Sequence, residues 1–188
     1  MAAEPFTIRF YEPADAESLF AAARESVEDV YPWLAWCHPD YSLSEAKEWT
    51  GRQPALRAQG EEYNFVITDA AGRFSGGCGL NQLNALHRTA NLGYWVRSSA
   101  AGRGAAPAAV IALASWAFAN TALERLEIVA ATSNLRSQRV AEKAGAVREG
   151  VLRRRLHTHG VSHDAVVYSL VRADPAAGPK STRAPISR

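Results

Sequence analysis

The chain has 188 residues, of which 47% are hydrophobic and 21% charged, and its formal net charge is +2. These proportions are those of an ordinary globular protein, and this length is enough for one domain with a sizeable core. So small a net charge gives no electrostatic reason to expect nucleic acid or a membrane surface as a partner.

Three further features favour a cytoplasmic protein. No apolar run is long enough to span a bilayer. The opening "MAAEPFTIRF" is short and acidic, whereas an export signal is basic. Cys37 and Cys78 lie far apart and match no metal or redox spacing, so we expect two buried thiols in a reducing compartment and no metal site.

Hydrophobic periodicity and turn residues divide the chain into alternating strands and helices. The helix that starts at Ser42 is marked by a capping box with Glu45, and it ends at Gly60. In chain order, the predicted elements are a strand at 6–12, a helix at 15–27, an aromatic-rich loop at 31–41, a helix at 42–60, a hairpin at 62–83, a strand at 90–97, a loop and helix at 98–120, a strand at 123–132, a short helix at 134–145, and a strand pair at 147–171.

This order predicts an α/β fold with a mixed, mostly antiparallel central sheet flanked by helices. We expect residues 1–172 to form a single domain. From residue 173 onward large apolar side chains nearly vanish, so residues 173–188 are predicted to be a disordered C-terminal tail.

The loop before the third long helix carries the clearest functional signal. Gly102 and Gly104 bracket Arg103 where that helix begins, and Pro107 falls in its first turn, where a missing N–H matters little. Free N–H groups and the positive end of the dipole make a helix N-terminus an anion site, and glycines allow a phosphate to approach closely. The alternative is that the two glycines only shape a tight turn between strand and helix.

Two phosphate-binding motifs fit this loop badly. A nucleotide-hydrolase P-loop needs a lysine and a hydroxyl after its second glycine, but "GAAP" stands here. A dinucleotide fingerprint would place its third glycine at Pro107, and it follows a parallel unit, whereas hairpin-like strands precede this loop.

Four pieces of sequence together resemble one superfamily. They are the strand and loop "GYWVRSSAAGRGAAP", the pair Asn134 and Ser137, "KAG" at 143–145 and "EG" at 149–150. In this combination the chain resembles the GNAT superfamily of N-acetyltransferases, and within it the ribosomal-protein N-terminal acetyltransferases of the RimJ/RimL type. The resemblance is strongest between residues 93 and 150, and it includes the tryptophan-rich segment "VYPWLAWCHPDYSLSEAKEWT".

The resemblance implies that acetyl-CoA is the co-substrate. This chain departs from the family at Ala101, where glutamine or arginine is usual, and at Pro107, which has no N–H to donate. The implied cofactor-binding residues are Gly102, Arg103, Gly104, Ala105 and Ala106 for the pyrophosphate, Trp95, Val96 and Arg97 for the pantetheine arm, and Asn134 and Ser137 near the thioester.

The resemblance also makes Ser137 the candidate catalytic residue, donating a proton to the leaving thiolate. Ser137 and Asn134 have an alternative role as residues that satisfy the backbone of a helix start. We assign no general base, because Leu156 stands where related enzymes place a glutamate. Tyr31 and Trp33 are predicted to form an aromatic wall over the acceptor, against the alternative of a small aromatic core.

The predicted function is direct transfer of acetyl from acetyl-CoA to a primary amine, by a monomer or homodimer. A protein N-terminal α-amine is the first expectation for the acceptor and a small-molecule amine the second. The alternative is a non-catalytic acyl-CoA or nucleotide-binding sensor, which the missing base keeps open.

Overall fold

The structure is a computed structural model that describes residues 5–173. It contains seven strands and four α-helices within that range. Their bounds are β1 Thr7–Phe10, α1 Ala16–Val30, α2 Leu43–Gln59, β2 Tyr63–Thr68, β3 Phe74–Asn84, β4 Thr89–Val96, α3 Ala105–Asn120, β5 Arg125–Ala131, α4 Leu135–Lys143, β6 Val147–Thr158 and β7 Val161–Val171, with 3₁₀ turns at Pro13–Asp15 and Ser98–Ala100.

The seven strands form one sheet in the order β1-β2-β3-β4-β5-β7-β6. Strands β4 and β5 pair in parallel, and every other described pair is antiparallel. The α3 crossover makes this parallel pairing possible, since parallel neighbours need a long connection. The predicted mixed, mostly antiparallel sheet flanked by helices is confirmed.

Strands β4 and β5 separate soon after they meet. Their pairing covers only Thr89–Asn91 against Arg125–Glu127. From Leu92 to Val96, β4 keeps its pairing with β3, but the described chain offers no partner on its other edge. Half of the backbone N–H and C=O groups along this stretch therefore face an opening in the sheet.

The helix ends form as their sequence signals predict. The amide of Glu45 donates to Ser42 Oγ at 3.3 Å, and the amide of Ser42 donates to Glu45 Oε2 at 2.9 Å. Gly60 and Gly145 follow α2 and α4 in the left-handed region, with φ of 71° and 85°. Glycine adopts this conformation without steric cost, so each helix stops where its C-terminal glycine stands.

The sheet carries a separate hydrophobic layer on each face. Alternation along β2 shows the division, because Phe65 and Ile67 pack with α3 while Val66 packs with α1. Helix α3 is nearly all apolar and buries Val110 and Leu113 completely. The larger layer lies under α3 and α4, and the smaller one lies under α1 and α2.

The structure also bears on the predictions for the cysteines, for membrane-spanning segments and for the C-terminal tail. Cys37 and Cys78 are both buried and unpaired, as predicted. Among residues 5–173, no helix is long and apolar enough to cross a membrane. The predicted tail falls almost wholly on residues 174–188, which lie outside the described residues.

Candidate functional site

The loop between β4 and α3 has the conformation that its glycines predict. Gly102 has a φ of 76° and Gly104 a φ of 91°, and Gly104 is the residue from which α3 starts. A Cβ built on either glycine meets no protein atom within 4 Å, so the space beside this backbone is open. The first amides of α3, from Ala105 and Ala106, face away from the helix body as at every helix start.

Helix α1 fixes the start of this loop with side-chain contacts. The amide of Ser98 donates to Ser26 Oγ at 3.0 Å, and the amide of Ser99 donates to Glu25 Oε1 at 2.7 Å. Arg97 pairs with Glu25, its Nε lying 3.0 Å from Glu25 Oε2. The hydrogen bond from Arg97 lowers the pKa of Glu25 to about 2. The amides nearest α1 are thus occupied, and the loop is held against that helix.

Asn134, Ser137 and Tyr94 meet at the opening between β4 and β5. Asn134 caps α4, since its Oδ1 accepts the amide of Ser137 at 3.0 Å. The Ser137 hydroxyl does not cap the helix, and its Oγ lies 2.9 Å from Tyr94 Oη. Tyr94 Oη also donates to the Ser137 carbonyl at 2.9 Å. Burial raises the pKa of Tyr94 to about 12, so this hydroxyl is protonated at neutral pH.

A cavity of about 540 Å³ lies on the other face of the sheet, under α2 and the loop after α1. Its walls combine aromatic rings with polar and charged side chains, and part of its floor is bare backbone. The lining residues include Tyr11, Trp36, Trp49, Trp95, Glu45, Glu48, Glu62, Asn64, Gly77, Gly79 and Gly93.

Three glycines form this floor because β3 and β4 expose alternate positions to it. Gly77 is in register with Trp95, and Gly79 is in register with Gly93. A Cβ on Gly77 would lie 2.6 Å from Tyr11 Oη, whereas a Cβ on Gly93 would meet nothing closer than 4.0 Å. Gly77 therefore allows close packing, and Gly93 leaves open floor beside the unpaired edge of β4.

The cavity lining is acidic in balance. Glu45, Glu48 and Glu62 line it together with one arginine, Arg52. The hydrogen bond from Ser42 lowers the pKa of Glu45, so that carboxylate stays ionised at neutral pH. A negative lining favours cationic or amine-bearing ligands over carboxylates.

The two residues predicted to form an aromatic wall lie away from this cavity. Tyr31 and Trp33 do not line this cavity, because they lie at the end of α1. There the Tyr31 ring is tilted by 56° against the His159 ring, with the two centroids 4.2 Å apart. Trp36 lines the cavity instead. Trp49, which periodicity places in the core, is half-buried and also lines the cavity.

Glu127 and His159 carry groups that could act as acid or base, and both groups have structural partners. Glu127 Oε1 accepts from Arg125 Nε at 2.9 Å, the ion pair that is the simpler interpretation of that residue. His159 Nε2 lies 2.8 Å from the Tyr31 carbonyl oxygen. The described residues contain no group of three His, Cys, Asp or Glu side chains that could hold a metal ion.

Comparison with known proteins assigns the family. A family model described as "Acetyltransferase (GNAT) domain" matches residues 6–147. The chain belongs to the GNAT acetyltransferases. The GNAT protein of Bacillus subtilis named "Putative ribosomal N-acetyltransferase YdaF" is 32% identical over 173 residues, which are 91% of this chain and 93% of that protein. This GNAT chain is accordingly an acetyltransferase enzyme, which speaks against the sensor alternative.

Solved GNAT structures share the fold over most of the chain. RimL, the ribosomal L7/L12 α-N-protein acetyltransferase solved with coenzyme A, superposes with a TM-score of 0.82 at 20% identity, covering 92% of this chain and 97% of that one. Mycobacterium smegmatis RimJ, solved with CoA-disulfide, has a TM-score of 0.81 at 24% identity, covering 90% of this chain and 83% of that one.

Sequence reasoning missed two parts of the site. In the sequence, Tyr94 has the pattern of an ordinary strand residue. Its hydroxyl reaches Ser137 only because β4 diverges from β5. The bare floor had a signal in the period-two spacing of Gly77 and Gly79 on β3, which removes side chains from one face of the strand.

Proposed function

We propose that this GNAT enzyme transfers acetyl from acetyl-CoA to a primary amine by direct attack, with a protein N-terminal α-amine as the first candidate acceptor and a small-molecule amine as the second. One observation carries the proposal. The unpaired edge of β4 adjoins the open floor at Gly93, so a thioester on one side of β4 and an amine on the other come together there.

The residues around α3 and β4 fit acetyl-CoA. Gly102 and Gly104 have left-handed φ values and open space beside them, which allows a pyrophosphate to approach the amides of residues 102–106. The free edge at the end of β4, Trp95 and Val96, would pair with the pantetheine arm as a strand does. The amide of Arg97, which follows, donates to the Ser75 carbonyl at 3.0 Å. Asn134 and Ser137 stand across the opening from this edge.

When bound, acetyl-CoA supplies an activated acetyl group. An acceptor that arrives as ammonium first loses one proton to water. The nitrogen lone pair of the neutral amine then forms the new N–C bond, and the C–S bond breaks. The leaving sulfur takes up one proton from a donor that regains it from water, and the new amide nitrogen gives one proton to water. A backbone N–H of β4 stabilises the acetyl oxygen, and Ser137 is the proposed proton donor to the sulfur.

The cavity supports an amine acceptor. Its three carboxylates favour an approaching ammonium group, and its aromatic walls suit the chain that carries the amine. The name of the Bacillus subtilis relative, a ribosomal N-acetyltransferase, supports a protein acceptor.

A thiol-release assay tests the proposal with acetyl-CoA and a panel of short peptides with free N-termini and small amines. We expect turnover with at least one peptide, and none after its N-terminus is blocked. Tight CoA binding without turnover of any amine would instead support the sensor alternative.

Substitution of Gly104 by valine tests the phosphate site. We expect the Gly104→Val protein to bind CoA at least about tenfold more weakly by calorimetry, roughly 1.4 kcal/mol, because a β-branched side chain occupies the space beside the amides. Gly72→Val is the matched control, since Gly72 also has a positive φ of 75° and nothing within 4 Å, but lies in the β2–β3 turn. Equal CoA affinity in the two folded variants would contradict the assignment.

A further inference from the structure

The amide of Asn64 is held in one orientation above the cavity floor. Its Nδ2 donates to Gln53 Oε1 at 2.9 Å and to Glu62 Oε2 at 2.8 Å. These two acceptors use both hydrogens of the amide nitrogen. Turning the amide over would bring its oxygen against two acceptor oxygens, so the direction of Asn64 Oδ1 is set.

The support beneath this amide is buried. Gln53 is 4% exposed, and its own Nε2 donates to the Trp49 carbonyl at 2.9 Å. Helix α2 thereby fixes the position of Gln53 Oε1, and through it the position of the Asn64 side chain. A polar group anchored in this way loses little conformational freedom when a ligand binds.

Asn64 Oδ1 lies directly over Gly79. A Cβ on Gly79 would be 2.0 Å from this oxygen, so only glycine at position 79 leaves room for it. Asn64, Gly79 and Gly93 are in register across β2, β3 and β4. Neighbouring strands are about 4.8 Å apart, so the oxygen lies roughly one strand spacing from the open floor at Gly93.

No hydrogen bond to Asn64 Oδ1 is present among the described residues, and Asn64 lines the cavity together with Gly79 and Gly93. An amide oxygen accepts hydrogen bonds and does not take a proton at neutral pH. With both N–H groups engaged, Asn64 presents only an acceptor to the cavity.

We propose that Asn64 Oδ1 accepts a hydrogen bond from an N–H of the substrate amine and so orients its lone pair toward the edge of β4. This inference rests on the proposed function. Gln53 and Glu62 are positioning residues that hold the Asn64 amide, and Gly79 makes room for it. The site selects acceptors that carry an N–H beside the reacting lone pair.

The Asn64→Leu variant tests this role, because leucine has a similar volume and no polar atoms. With the best acceptor of the wild-type protein, we expect kcat/KM for that acceptor to fall at least tenfold. The KM for acetyl-CoA and the Kd for CoA are expected to stay within twofold, since Asn64 lies on the other side of β4. Asn120→Leu is the matched control, because Asn120 lies at the far end of α3, and we expect it to keep wild-type kinetics.

A second variant moves the oxygen without removing it. In Gly79→Ala the new methyl group displaces the Asn64 amide, and no polar group is removed from the site. We expect the same loss in kcat/KM for the acceptor, again with unchanged CoA binding. This variant decides the question if Asn64→Leu does not fold.

The outcomes separate the two proposals. Acceptor kcat/KM within twofold of wild type in a folded Asn64→Leu or Gly79→Ala protein overturns the role of Asn64 and leaves the proposed function intact. Absence of turnover in the wild-type protein with every amine overturns both.

Discussion

At the residue scale, the informative finding is how few side chains near the opening are free to do chemistry. Asn134 Oδ1 is committed to capping α4, and Glu127 is committed to Arg125. The Ser137 and Tyr94 hydroxyls bond each other and face the opening between β4 and β5. The Tyr94 hydroxyl has a single hydrogen, which it can donate in a hydrogen bond to the Ser137 carbonyl or to Ser137 Oγ. The orientations of the two hydroxyl groups are therefore coupled.

This coupling leads to a prediction for Ser137. We expect Ser137→Ala to lower kcat by about a hundredfold, because general-acid contributions are on that order, and to leave the KM for acetyl-CoA nearly unchanged. Tyr94→Phe is expected to lower kcat too, and the double variant to be little worse than the more damaged single one. Steady-state kinetics on the four proteins measure this coupling.

The opposite result has a clear meaning. Full turnover in Ser137→Ala, with only a lower melting temperature, would assign the proton to water and remove Ser137 from the mechanism. Because the hydroxyl bonds Tyr94 and Asn134 supplies the cap, we expect the cost in stability to stay below the roughly 1 kcal/mol of a lost N-cap.

At the element scale, α1 holds the loop between β4 and α3 in place. Glu25 and Ser26 occupy the amides of Ser99 and Ser98, and Asp29 Oδ1 accepts from Arg136 of α4 at 2.9 Å. One helix therefore holds both the loop before α3 and the start of α4. These elements lie on opposite sides of the opening, so α1 helps to set its width.

The Glu25–Arg97 pair predicts a pH dependence of stability. The folded pKa of Glu25 is about 2, below its ordinary value of 4.5. A carboxyl whose pKa is lowered on folding stabilises the protein above its unfolded pKa, and this contribution is lost as pH falls from about 4.5 toward 2. We expect Glu25→Gln to lower the Tm at pH 7 and to approach wild type only near pH 2.

Thermal melts between pH 2 and 7 measure this difference. Glu28→Gln is the control, because Glu28 is exposed on the same helix. A gap between wild type and Glu25→Gln that stays constant down to pH 2 would show that the ion pair does not carry the effect.

At the scale of the whole molecule, the end of β7 is tied back to the connection between α3 and β5. Arg172 donates to the carbonyls of Phe118, Thr121 and Leu123, at 2.9 Å for Thr121 and 2.6 Å for Leu123, and its Nε lies 3.1 Å from Glu124 Oε1. These contacts support the proposal that the domain extends to residue 172, where the apolar sequence ends.

Two truncations test that boundary. Residues 173–188 hold three prolines and one large apolar side chain, so we expect truncation after Arg172 to leave the Tm and CoA binding unchanged. Truncation after Val171 also removes the Arg172 hydrogen bonds. Charged hydrogen bonds contribute about 1.5–3 kcal/mol, and about 1 kcal/mol moves the Tm of a domain this size by roughly 2–4 °C. We therefore expect the protein truncated after Val171 to melt at least roughly 3 °C lower than the one truncated after Arg172. Equal Tm values for the two truncated proteins would mean that the domain ends before residue 172.

The sequence by itself determined whatever depends on near neighbours along the chain. The capping box at Ser42 and Glu45, the glycine that ends each of α2 and α4, and the left-handed glycines before α3 all act within one turn of backbone. Strand alternation and the order of elements then limited the fold to a mixed sheet with helices on both faces. Family resemblance extended this to an acetyltransferase.

Only the tertiary structure decided which residues line the site. The pairing of β4 with β5 stops at Asn91, and this single feature creates the opening and brings Tyr94 to Ser137, 43 positions along the chain. The same holds for the cavity proposed to receive the acceptor, which Trp36 lines and Trp33 does not, because the turn after α1 sets which ring faces inward. Such contacts depend on strand register and on how helices pack over the sheet, and the local sequence pattern determines neither of them.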